Sequence, residues 1–208
     1  VKSVLYKATE FFIIFILIPV SFAISYSPWV KLAIGVVGFA YIIYVLLKVE
    51  NEKFKIAKNL NWKLFFRQAL IKLLIIACLT TVFVWFTAKE ALFGVLLNKP
   101  KLWLFILFFY SFFSVYPQEL IYRTFYFKRY HDIFKNKYLF IFINAIVFSL
   151  GHIFFKKSLV LALTFLGGLL FAFTFYKTKS TLMVSIEHAI YGCWLFTVGM
   201  GSMLGFPA

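Results

Sequence analysis

The chain has 208 residues, of which 63% are hydrophobic and 23% aromatic, and only 14% carry a charge. A soluble domain averages about 45–50% apolar and about 25% charged residues, so this chain lacks the polar surface that water requires. Its 22 Lys and Arg against 7 Asp and Glu give a net charge of +15. In a soluble protein that excess would suggest nucleic acid, but basic residues in short loops between apolar runs set membrane orientation instead, which excludes that reading. The expected fold class is all-α, a polytopic integral membrane helix bundle.

Crossing roughly 30 Å of hydrocarbon takes about 20 helical residues, and seven runs qualify: about 9–27, 29–48, 68–88, 102–127, 138–155, 158–176 and 181–200. No small-residue cleavage site follows the first run, so it reads as a retained helix. Glu10 lies near its end. The polar stretch 49–62 interleaves Lys53, Lys55 and Lys58 with Phe54, Ile56 and Leu60, the pattern of an amphipathic segment on the inner leaflet. Arg67 and Lys72 open the third run, where long side chains reach back to headgroups. Cys78 in that run and Cys193 in the seventh have no CxxC spacing, so neither a disulfide framework nor a zinc ribbon is indicated. With the N-terminus inside, fourteen loop Lys and Arg fall on the inner side. Six fall outside: Lys31, Lys89, Lys99, Lys101, Lys156 and Lys157. This bias predicts a cytoplasmic N-terminus and, after seven spans, an external C-terminus. No repeat or linker divides the chain. It reads as one membrane domain, 1–208, with N-terminal helices and the interfacial segment in 1–101 and a catalytic helical core in 102–200.

Charged groups inside a membrane are costly, which makes each a functional candidate. Glu119 and Arg123 lie in the fourth run, His152 in the fifth, and Glu187 with His188 in the seventh. Glu119 and Arg123 are four apart and share a helix face, where they can pair. Asn144, Phe148 and His152 follow at the same spacing, which predicts one shared face. Glu187 and His188 are adjacent and diverge by about 100°, so they serve different neighbours. Tyr191 and Gly192 continue the His188 side, and Gly192 permits close approach. Straight helices at about 1.5 Å per residue put Glu119 and His188 at similar depths inward of the midplane and His152 well outward of it. Bringing His152 level requires a tilted or re-entrant fifth helix, or a kink at Pro117.

One carboxylate and two imidazoles offer two routes to a peptide bond. Glu119 can act as general base on a water that His152 helps hold, with His188 donating to the oxyanion. Alternatively Glu119, His152 and His188 ligate a metal such as zinc and leave one position open for water. No cofactor is favoured, and the residue types alone do not choose between the routes. The sequence has no HExxH, no GxSxG and no Gly-rich phosphate loop.

The ordered set Gln118-Glu119-x-x-x-Arg123, Phe148-x-x-x-His152 and His188-x-x-x-Gly192 resembles the CPBP family of intramembrane proteases, with its motifs EExxxR, FxxxH and HxxxN or HxxxD. That family includes CAAX prenyl endopeptidases and bacteriocin-processing or immunity proteins, and the resemblance covers about residues 102–200. The context PQELIYRTFYF, VFSLGH and SIEHAIYG is similar to bacterial members that process C-terminal sorting anchors. The resemblance implies a helix bundle in which the first-motif glutamate and second-motif histidine activate water, while the third-motif histidine and its polar partner bind the oxyanion. Two positions depart from the pattern. Gln118 replaces the leading glutamate, so Glu119 must serve as base or the protein is inactive. Gly192 replaces the closing polar residue, so backbone or Tyr191 must supply the missing donor.

The expected function is therefore an intramembrane endopeptidase cutting a membrane-anchored or lipidated protein near its C-terminus. The expected partners are that substrate and the lipid bilayer, and the expected location is a bacterial inner (plasma) membrane. The competing readings are a non-catalytic relative that binds membrane peptides, as an immunity protein would, and a small proton-coupled transporter. Transporters commonly carry two matching halves with interrupted helices, whereas the intramembrane polar residues here fall in the second half of the chain.

Overall fold

The structure is a computed structural model and describes residues 3–53 and 60–204. Residues 54–59, the middle of the stretch expected at the membrane interface, lie outside the described residues. Among the described residues there is no strand, and seven helices are long and apolar enough to cross a membrane. They are α1 (Val4–Phe22), α2 (Pro28–Val49), α3 (Trp62–Thr87), α4 (Pro100–Arg129), α5 (Lys137–Phe155), α6 (Ser158–Thr178) and α7 (Thr181–Val198). Phe86, Trp29 and Leu5 are 81%, 78% and 77% exposed. Such surfaces suit hydrocarbon and not water, so this is an integral membrane protein.

Local chemistry sets the helix ends. Ser3 caps α1 by accepting from the Tyr6 amide at 3.2 Å, and Asn61 does the same for Leu64 of α3 at 2.9 Å. Asn136 caps α5 and Ser180 caps α7, while Pro28 and Pro100 open α2 and α4, where a missing N–H is no loss. These caps start α1 and α3 five or six residues before the apolar runs begin. At the far end of α7, Gly199 takes φ +108°, and a Cβ there would lie 2.2 Å from the Ala91 carbonyl oxygen. Only glycine fits that position.

The chain packs as two compact units, Val1–Lys55 with Leu120–Tyr176, and Ile56–Glu119 with Lys177–Ala208. In the first, Phe15 meets Tyr122, Tyr126 and Tyr130 edge-on, with ring centroids 5.6, 5.7 and 5.9 Å away, a geometry that adds about 0.5–1.5 kcal/mol per pair beyond burial. Beside this aromatic core lies an ionic cluster. Arg129 donates from Nε to Glu10 at 2.7 Å and from Nη1 to Glu50 at 2.8 Å. Glu10 also accepts from the Tyr41 and Tyr130 hydroxyls, and Lys128 pairs with Glu52. Burial, and next the Glu10 carboxylate, push the Tyr130 phenol well above its ordinary range. Glu10, expected as a helix-end residue, is thus the buried hub of an ion network.

In the second unit α4 and α7 pack around Val95, Ile106, Tyr110, Val115 and Phe196, and α3 packs against α7. Two indoles fix the packing of α7. Trp194 donates to Thr80 of α3 at 2.9 Å, and Trp103 of α4 donates to Thr197 at 3.0 Å.

Candidate active site

The first motif sits where α4 is irregular. The helix widens to π geometry over Tyr110–Val115 and again over Leu120–Phe125, leaving one ordinary turn, Tyr116–Glu119, between them. Pro117 has no N–H to continue the hydrogen-bond ladder, and such widened turns often accompany functional positions. Glu119 closes the turn. It is 0% exposed, and its Oε1 lies 2.7 Å from Nδ1 of His188 on α7, itself 6% exposed. A carboxylate bonded directly to an imidazole in apolar surroundings is a proton-transfer unit: the ring can hold or release a proton that the carboxylate stabilises. Gln118 turns back along its own helix and donates from Nε2 to Ser114 Oγ at 2.8 Å. Its Oε1 is buried without a hydrogen-bond partner among the described residues.

The adjacent Glu187 points elsewhere, as its 100° offset requires. Its Oε1 accepts from Lys72 Nζ of α3 at 2.6 Å and from the Tyr191 hydroxyl at 2.9 Å. Lys72, expected as a headgroup anchor, is therefore an ion-pair partner inside the unit. The reason is the helix start: α3 begins at Trp62, which puts Lys72 about 15 Å along the helix and out of reach of an end. Tyr191 belongs to the Glu187 side of α7, where its hydroxyl also lies 3.3 Å from the Ala69 carbonyl. Gly192, one turn past His188, packs beneath the Tyr110 phenol.

The remaining motif residues lie in the first unit. Arg123 donates from Nη1 to Asn144 Oδ1 at 2.5 Å, and its guanidinium lies 4.7 Å above the Phe148 ring. Asn144 in turn donates to the Tyr122 carbonyl at 2.7 Å. These contacts place Asn144 and Phe148 on one face of α5, as the spacing predicts. His152 does not extend that face as a helical residue. The α-helix stops at Leu150, and Gly151 and His152 form a turn that leads into a short 3₁₀ stretch, Ile153–Phe155. His152 Nδ1 lies 2.8 Å from the Phe148 carbonyl oxygen. A carbonyl can only accept, so Nδ1 carries a proton, and the neutral tautomer this selects has its lone pair on Nε2. Because the helix ends early, depth counted along a straight α5 does not apply to His152.

Residues 100–194 match the family described as Type II CAAX prenyl endopeptidase Rce1-like. This is the CPBP resemblance that the motifs carry. The matched stretch is just under half of the chain and holds every motif residue from Gln118 to Gly192. At the level of that family, it supports an intramembrane protease. No curated protein and no solved structure matches the chain. Among the described residues no group of three His, Cys, Asp or Glu side chains is placed to hold a metal ion.

Sequence reasoning set Lys72 aside as a headgroup anchor and passed over Tyr110. A lysine ten residues inside a capped helix was a readable signal once Asn61 was recognised as the cap. Tyr110 carried none, since one of 12 tyrosines in an apolar run looks like core.

Proposed function

We propose that this chain is an intramembrane endopeptidase that hydrolyses a peptide bond near the C-terminus of a membrane-anchored or lipidated protein. The observation that carries the reading is the buried Glu119 carboxylate bonded to His188, within the stretch that matches the protease family. Glu119 takes a proton from water as the water oxygen bonds to the carbonyl carbon and the carbonyl electron pair moves onto oxygen. His188, in its doubly protonated form with Nδ1–H on the Glu119 carboxylate, offers Nε2–H to that oxyanion. Collapse of the tetrahedral carbon breaks the C–N bond, and the proton held by Glu119 goes to the leaving amine. His152 is assigned to the water by motif order. Arg123, Asn144 and Phe148 act as supports that fix the turn bearing it. The bilayer is a bacterial inner membrane, with the N-terminus cytoplasmic and the C-terminus external.

The test is cleavage of a panel of C-terminal anchor peptides by purified protein in liposomes. Wild-type cleavage lost in Glu119→Ala, His152→Ala and His188→Ala supports the reading, and cleavage that survives Glu119→Ala removes the proposed base. A chelator in the same assay distinguishes the zinc route, since the water-and-glutamate route tolerates it. Specific peptide binding without turnover identifies the non-catalytic alternative.

A further inference from the structure

Tyr110 opens the first π-widened turn of α4, is 8% exposed and lies among the residues that the candidate site already uses. Its ring stands edge-on to His188 at 6.0 Å and to Phe196 at 4.8 Å. Its hydroxyl sits directly over Gly192: a Cβ added there would lie 2.1 Å from Oη, 2.4 Å from Cε1 and 2.5 Å from Cζ. No side chain fits at position 192 while this phenol is in place, so the glycine and the tyrosine form a matched small-and-large pair across α7 and α4. Among the described residues the Tyr110 hydroxyl makes no hydrogen bond. A phenol O–H on a largely buried ring beside a histidine is placed to donate to something that binds there. The adjacent Ser111 donates to the Leu107 carbonyl and contacts Cys193.

We infer that the Tyr110 hydroxyl is the second donor to the substrate carbonyl oxygen, beside His188, and fills the place that a polar side chain at position 192 would otherwise take. The inference rests on the protease reading above and names a further catalytic residue for it. A phenol is a neutral O–H donor whose distance from the peptide is set by a ring locked between two others. It stabilises the oxyanion without taking part in the transfer of the water proton.

The experiment compares full-length variants in liposomes on an anchor peptide that the wild type cleaves. Tyr110→Phe removes one oxygen atom and keeps the ring packing. It is expected to lower kcat by about 10²–10³-fold, the usual effect of losing one oxyanion donor, with KM and the melting temperature nearly unchanged. Gly192→Asn alone is expected to destabilise the protein, because it collides with the phenol. The double variant Tyr110→Ala/Gly192→Asn is expected to regain at least about tenfold in kcat over Tyr110→Ala, since it restores a donor where the phenol stood. Full kcat in Tyr110→Phe, or no recovery in a folded double variant, overturns the inference. If the wild type cleaves nothing in the panel, the protease reading fails and this assignment falls with it. If Glu119→Gln is inactive while Tyr110→Phe runs at full rate, only this assignment falls.

Discussion

The two compact units treat their buried charges differently. In the first, Arg129 binds Glu10 and Glu50, and Glu10 also accepts from two tyrosine hydroxyls. In the second, the Glu119–His188 and Lys72–Glu187 pairs stand near polar atoms that lack partners among the described residues, Gln118 Oε1 and Glu187 Oε2. A guanidinium shared between two carboxylates behaves as a pin that holds helices together. Polar groups kept buried with bonding capacity to spare are what a substrate and a water can use. Burial of charge therefore does not by itself separate structure from chemistry in this chain: Glu10 and Glu119 are both buried, and they differ in what each is bonded to.

Substitutions can break or sharpen that contrast. The largest expected effect is on turnover: Glu119→Gln keeps the shape and removes the base, and should lower cleavage by about 10²–10⁴-fold while leaving unfolding in detergent almost unchanged. Arg129→Ala should do the reverse. It strands Glu10 and Glu50, and should lower the unfolding free energy by about 3–5 kcal/mol while leaving the rate per folded molecule intact. A loss of kcat in Arg129→Ala with unaltered stability would erase the distinction between the units. Lys72→Met should have a smaller effect, about 1–3 kcal/mol, because Lys72 is partly exposed but leaves Glu187 buried without its cation. Adding Glu187→Gln to that variant should recover most of the loss. Ser180→Ala removes the cap of α7 and should lower stability by about 1 kcal/mol, read as a shift in detergent unfolding.

Much of the fold could be read directly, because apolar runs long enough to span a membrane allow few alternatives. The ends were harder. The first run points to about 9–27, yet α1 spans Val4–Phe22. Ser3 supplies the cap, and the chain leaves the helix before Ser27-Pro28, where the residue preceding proline disfavours helical geometry. The same kind of shift at α3 turned Lys72 from an expected headgroup anchor into the partner of Glu187. Glu119, His188, Arg123 and Asn144 stood out because polar side chains are conspicuous in apolar helices. Their partners did not, since Glu119 with His188 and Arg129 with Glu10 are joined across 69 and 119 residues of sequence. Tyr110 was invisible for another reason: what marks it is the space above Gly192, a property of packing and not of pattern.

Cleavage of an anchor peptide in liposomes by wild type and by Glu119→Gln, measured under single-turnover conditions, tests the central claim most directly. The account predicts measurable wild-type hydrolysis and a fall of about 10²–10⁴-fold in the variant with peptide binding retained. Equal rates in the two proteins would contradict it.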